Sequence, residues 1–131
     1  MNKTLTCILC PIGCELNIEY DGITVHSVTG NNCKKGDEYA HQEIISPMRN
    51  IASSVFVDGG HLPLCSVRLS APIPKDRIMD VMDEIKKISV SAPVKLGDII
   101  IKNVLDLNAD VIATKNIETI YDWLDRKRYE L

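Results

Sequence analysis

Aromatic side chains are scarce in this sequence: one Trp, one Phe and four Tyr, 5% of the chain. Any core it builds must therefore be aliphatic. No stretch approaches the roughly 20 apolar residues of a membrane-spanning helix, and the amino terminus lacks the basic, apolar and small-residue order of a secretory signal. A cytoplasmic location is the expectation. Positive charge is not in surplus either, since 15 Lys and Arg face 18 Asp and Glu for a net charge of −3. That removes the clustered basic footprint on which nucleic-acid binding leans. Internal repeats and low-complexity tracts are missing, as is any nucleophile with a positioned base or any catalytic carboxylate pair. The chain alone is not read as an enzyme.

What the sequence does hold is cysteine in an uneven distribution. Cys7, Cys10 and Cys14 lie in TCILCPIGCEL, and Cys33 follows in NNCKKG, so the gaps are two, three and eighteen residues. Three thiols so close together cannot share one face of a regular strand, and the backbone must loop around whatever collects their sulfurs. In a reducing cytosol, close cysteines point to metal ligation or redox chemistry before structural disulfides. A [4Fe-4S] cluster fits best, because each of its four irons takes one thiolate and a short loop can wrap the cubane. Structural zinc is the alternative. It usually draws on two CxxC-type knuckles, and Cys33 has no near cysteine partner. A thioredoxin-like role for Cys7 and Cys10 alone would need the pair at a helix start within a βαβ unit, whereas a hairpin follows.

The remaining chemistry-bearing residues read as structural. Cys65 sits in the apolar run LPLCSV and acts as a small core hydrophobe. His26, His41 and His61 lack ligand spacing to one another. Asp76, Asp80, Asp83 and Glu84 form a solvated helix face. Lys34 and Lys35 either are ordinary surface charges or raise the potential of a nearby cluster and meet an acidic partner.

Taken in order, Lys3 to Thr6 reads as a short strand, with Pro11 and Gly13 turning the ligand loop. Glu15–Tyr20 and Ile23–Val28 alternate around Asp21-Gly22, a β-hairpin that returns the chain to Cys33. A helix is predicted from near Gly36 to Ile44, ended by Ser46-Pro47. Asn50–Val57 and Leu62–Leu69 make a second hairpin around Asp58-Gly59-Gly60, with Pro63 suggesting an edge strand. Lys75–Ile88 carries an apolar stripe of Ile78, Val81, Met82, Ile85 and Ile88 and is the clearest helix. Ser89–Pro93 reads as a linker, Asp98–Val104 and Asp110–Thr114 as strands, and Asn116 as the cap of a last helix with a stripe of Ile117, Ile120, Tyr121 and Leu124. The fold expectation is α+β: a small β-rich cysteine-ligand lobe over 1–49, then a mixed hairpin and helix lobe over 50–131.

The run Cys7-xx-Cys10-xxx-Cys14, followed by Cys33-Lys34-Lys35-Gly36 and then Ser46-Pro47-Met48-Arg49, resembles the amino-terminal iron-sulfur domain of the molybdopterin oxidoreductases, the formate dehydrogenase and periplasmic nitrate reductase group. The resemblance covers roughly the first 50 to 57 residues. It implies that Cys7, Cys10, Cys14 and Cys33 ligate a [4Fe-4S] cluster and that Lys35 matches the lysine between cluster and pterin. At 131 residues the chain cannot house the pterin domains, so Lys35 lacks that neighbour. Over its full length, with VRLSAPIPK at 67–75 and APVKLGDII at 92–100, the chain resembles a family of small CxxC-motif proteins. These tend to be encoded beside an anaerobic glycerol-3-phosphate dehydrogenase and an NAD(FAD)-dependent oxidoreductase, which implies a flavoprotein dehydrogenase as partner.

Overall fold

Period-two alternation builds the first part of the chain. The computed structural model describes residues 1–130, and the chain divides into two compact units, Met1–Met48 and the residues from Arg49 onward. In the first unit β1 (Asn2–Thr6), β2 (Glu15–Asp21) and β3 (Thr24–Thr29) form an antiparallel sheet in that order. Leu16 and Ile18 of β2 are buried while Glu15, Asn17 and Glu19 face solvent. Two hairpins result, one turning through residues 7–14 and one through Gly22, whose φ of +58° suits glycine. Helix α1 (Lys34–Ile45) packs its Gly36 and Ala40 inward, so that Cys7, Leu16, Ile18 and Ala40 make a small core flanked by Leu5, Tyr20 and Val28. The helix begins at Lys34 and not near Gly36. Cys33 is its extended N-cap residue, and the Cys33 carbonyl already accepts from the Gly36 N–H at 3.2 Å. Past Ile45, Pro47 keeps Ser46 out of helical geometry.

A two-residue strand, β4 (Met48–Arg49), spans the boundary. The second unit runs β5 (Ala52–Asp58), β6 (Leu64–Leu69), β7 (Ile73–Pro74), a 3₁₀ turn (Lys75–Arg77), α2 (Ile78–Lys86), β8 (Ser89–Ser91), β9 (Ile99–Ile101), β10 (Val111–Ala113) and α3 (Ile120–Tyr129). Its main sheet has the order β8-β5-β6-β10-β9, antiparallel except for the β5–β8 pair. Inward residues of β5 and β6 (Val55, Val57, Cys65, Val67, Leu69) pack with Val81 and Ile85 of α2 and with Val111 and Ala113. Each fully buried Val, Leu or Ile contributes about 1.5 to 3 kcal/mol. The core is aliphatic, as the composition requires: Phe56 is 61% exposed, and Trp123 stacks on His61 at 6.0 Å outside the buried cluster.

Several expectations need correction here. Ser89–Ser91 is a strand and not a linker, because pairing with β5 in parallel register (Phe56 opposite Ser89) overrides its weak propensity. β6 is central and not an edge; Pro63 precedes it, and the Pro63 carbonyl still accepts from the Val57 N–H at 2.9 Å. The helix predicted over Lys75–Ile88 opens as a 3₁₀ turn and is α-helical only over Ile78–Lys86. The strand expected over Asp98–Val104 is cut to Ile99–Ile101 by a left-handed turn in which Asn103, Leu105, Asp106 and Asn108 have positive φ. The cap of α3 is Thr119, whose Oγ1 accepts from the Asp122 N–H at 3.1 Å, while Asn116 accepts from the Leu96 N–H. Of the stripe expected for the last helix, Ile117 is buried in the core but precedes α3, while Tyr121 and Leu124 are exposed.

Candidate functional site

Loop 7–14 is the turn of the β1–β2 hairpin, closed at its base where the Cys7 N–H donates to the Cys14 carbonyl at 2.8 Å. Three cysteines therefore hang from one eight-residue turn. The fourth is brought back by β3 and by Gly30, at φ +90°, where a Cβ would lie 2.1 Å from the Glu15 carbonyl oxygen. Backbone thus meets backbone one residue after Cys14. Asn31 then donates from Nδ2 to the Cys33 carbonyl at 3.1 Å, shaping the last step into α1. At Gly36 a Cβ would stand 2.8 Å from that of Asn31 and 3.3 Å from Leu16 Cδ2, so glycine lets the helix start close against β2.

The result is one cavity of about 430 Å³ lined by Cys7, Cys10, Cys14 and Cys33 with Leu9, Lys34, Lys35 and Gly36. All four cysteines named from sequence, and Lys35, come together here. Cys7 is buried, Cys10 and Cys14 are half-buried and Cys33 is exposed; each is a free thiol. Among the described residues no three His, Cys, Asp or Glu side chains converge on one ion. No carboxylate lines the cavity, whereas Cys33 sits at the positive end of the twelve-residue α1 beside two lysines. The helix dipole and the ammonium groups place positive potential at that end of the cavity. Four thiols around open space, with glycine where the backbone approaches, are a donor set that fits an iron-sulfur cubane.

In the sequence, Thr29-Gly30-Asn31-Asn32 reads as the return turn that presents Cys33; the close approach of Gly30 to Glu15, the Asn31 hydrogen bond to the Cys33 carbonyl and the place of Leu9 in the cavity wall carry no sequence signal.

The residues read as structural behave so. His41 Nδ1 lies 2.9 Å from the Asp37 carbonyl oxygen, and His61 makes backbone contacts with Glu118. Asp80 and Glu84 pair with Arg77 and Lys87 on the surface. Cys65 is fully buried, its sulfur 3.5 Å from the carbonyl oxygens of Ser66 and Lys115. Burial pushes its thiol above the ordinary value of 9.0. Because the folded value lies above the unfolded one, this stabilising contribution is intact below about pH 9 and is lost as pH rises further. Stability measured by urea unfolding is expected to fall as pH rises above about 9, and to fall less in Cys65→Ala. In metal-free native protein Cys33 should react with Ellman's reagent while Cys65 reacts only after unfolding.

Among the described residues no helix is long and apolar enough to cross a membrane. A solved NMR structure, that of Clostridium perfringens protein CPE0013, is similar with a TM-score of 0.50 and 23% identity, over 56% of this chain and 86% of that one. It is a likeness of fold. No curated protein matches. Residues 34–115 match the family described as "Protein of unknown function (DUF1667)". Lys35 and Cys65 fall inside that span, Cys33 lies immediately before it, and Cys7, Cys10 and Cys14 lie further upstream. The match covers more than half of the sequence, and the chain belongs to the DUF1667 family.

Proposed function

We propose that the first unit holds one [4Fe-4S] cluster on Cys7, Cys10, Cys14 and Cys33, and that the protein is an electron-transfer or accessory subunit of a flavin-dependent dehydrogenase. The observation that carries this reading is the gathering of four cysteines, one of them distant in sequence, around a single cavity of about 430 Å³. When bound, such a cluster supplies reversible one-electron transfer. The chain's own residues supply the four thiolates, and Leu9 keeps part of the wall apolar. The α1 terminus with Lys34 and Lys35 favours the negatively charged ligands and raises the potential.

The resemblance to the iron-sulfur domain of the molybdopterin oxidoreductases supports the same ligand set. The flavoprotein partner rests on the likeness to small CxxC-motif proteins encoded beside an anaerobic glycerol-3-phosphate dehydrogenase. A zinc-stabilised module is the competing reading. It would have to draw the four sulfurs to about 2.3 Å from one ion.

Anaerobic purification followed by metal, acid-labile sulfide and visible spectroscopy tests the proposal. About four irons and four sulfides per chain are expected, with broad absorbance near about 400 nm that dithionite bleaches. One zinc without sulfide would instead establish the structural module, and chelation would then unfold the first unit.

A further inference from the structure

From Cys7 to Cys14 the sequence reads CILCPIGC, without one charged or hydrogen-bonding side chain other than the thiols. Its aliphatic residues face solvent: Ile8 is 73% exposed, Ile12 70% and Leu9 49%. Tight surface turns ordinarily draw on Asn, Asp, Ser, Gly and Pro, so the three large aliphatics are not required by the turn. Leu9 lines the thiol cavity, and so do the exposed Lys34 and Lys35. One opening is therefore bordered by an apolar patch and by two positive charges.

We infer that this face, loop 7–14 together with Lys34 and Lys35, docks a partner protein whose surface presents an apolar centre flanked by carboxylates. The inference rests on the electron-transfer reading for what passes across the contact. Specific interfaces combine an apolar centre with complementary charge at the rim, where charge steers encounter. Other occupants fit less well. In a two-fold contact between copies of this chain the same patch meets itself, which brings the lysines together. A bilayer is disfavoured because the loop carries no Trp or Tyr anchor, and two lysines fall short of the clusters that hold anionic lipid.

The test places the photo-crosslinker p-benzoylphenylalanine at Ile12, in the full chain expressed in its native host under anaerobic conditions. A control carries it at Ile23, 71% exposed on the β2–β3 turn of the same unit. The expected result is a crosslink from position 12, absent from position 23, to one protein with an acidic surface; replacing Lys34 and Lys35 by Gln lowers its yield several-fold. Adducts only to lipid, only to a second copy, equal from both positions, unchanged by the lysine replacements, or no adduct at all would each overturn the inference. Iron and sulfide are measured on the same preparations. An acidic protein adduct without iron leaves the docking surface standing and removes the electron-transfer reading, whereas iron without an adduct does the reverse.

Discussion

Replacing Gly30 by alanine is expected to destabilise the first unit by about 3 kcal/mol or more and, under the cluster reading, to abolish metal incorporation. Two costs combine. At φ +90° an L residue is strained wherever it sits, and here the added Cβ would also stand 2.1 Å from the Glu15 carbonyl oxygen. That oxygen is backbone, so no rotamer change relieves the overlap. Relief requires segment 30–33 to move away from the start of β2, which separates Cys33 from Cys14. Gly22 supplies the control. It too has a positive φ, +58°, but nothing lies within 4 Å of its missing Cβ. Gly22→Ala should cost only the left-handed strain, about 1 to 2 kcal/mol, and keep its metal. Denaturant unfolding of both variants with iron analysis decides the matter. Equal stability losses would mean that the approach of Gly30 to Glu15 does not hold the site together.

Gly30 also marks what can be read from the sequence. Asp21-Gly22 between alternating runs announces the β2–β3 hairpin, since turn chemistry and period are both local. The stripe of Val81 and Ile85 and the apolar setting of Cys65 were legible for the same reason, and all three residues are buried. Nothing local says that β1 pairs with β2, which makes the cysteine triplet a hairpin turn. Likewise the parallel pairing of Ser89–Ser91 with β5 is decided 31 residues away, where the Ser89 Oγ donates to the Asp58 carboxylate at 3.1 Å. Among the site residues the thiols were found because their chemistry is distinctive. Gly30 and Gly36 shape the cavity through the side chain they lack, and their partners Glu15, Asn31 and Leu16 become visible only in three dimensions. Pattern reading failed similarly at α3, where Asn116 and Thr119 are both plausible caps; the hydroxyl that reaches the Asp122 N–H belongs to Thr119.

Serine substitution at each cysteine in turn should separate metal binding from folding. Under the cluster reading, Cys7→Ser, Cys10→Ser, Cys14→Ser and Cys33→Ser each lose most of their iron and sulfide, because an alcohol is a far poorer ligand than a thiolate; Cys65→Ser keeps both. The stabilities of the metal-free variants should follow a different order. Cys7 is only 5% exposed, and a hydroxyl left there without a partner costs about 1 to 3 kcal/mol. Cys65 is fully buried, but two carbonyl oxygens lie 3.5 Å from its sulfur. A serine there can donate to one of them, which reduces the penalty to about 1 kcal/mol. Cys33 goes the other way. It occupies the N-cap of α1 with no side-chain cap hydrogen bond, a position where serine is among the preferred residues. Metal-free Cys33→Ser should therefore be more stable than the parent by about 0.5 to 1 kcal/mol while failing to assemble the cluster. That combination of a firmer fold and an empty site arises only if cysteine is kept at the cap for its thiolate. If Cys33→Ser retained full iron and sulfide, Cys33 would not be a ligand, and the site would have to be redrawn around the three cysteines of the loop.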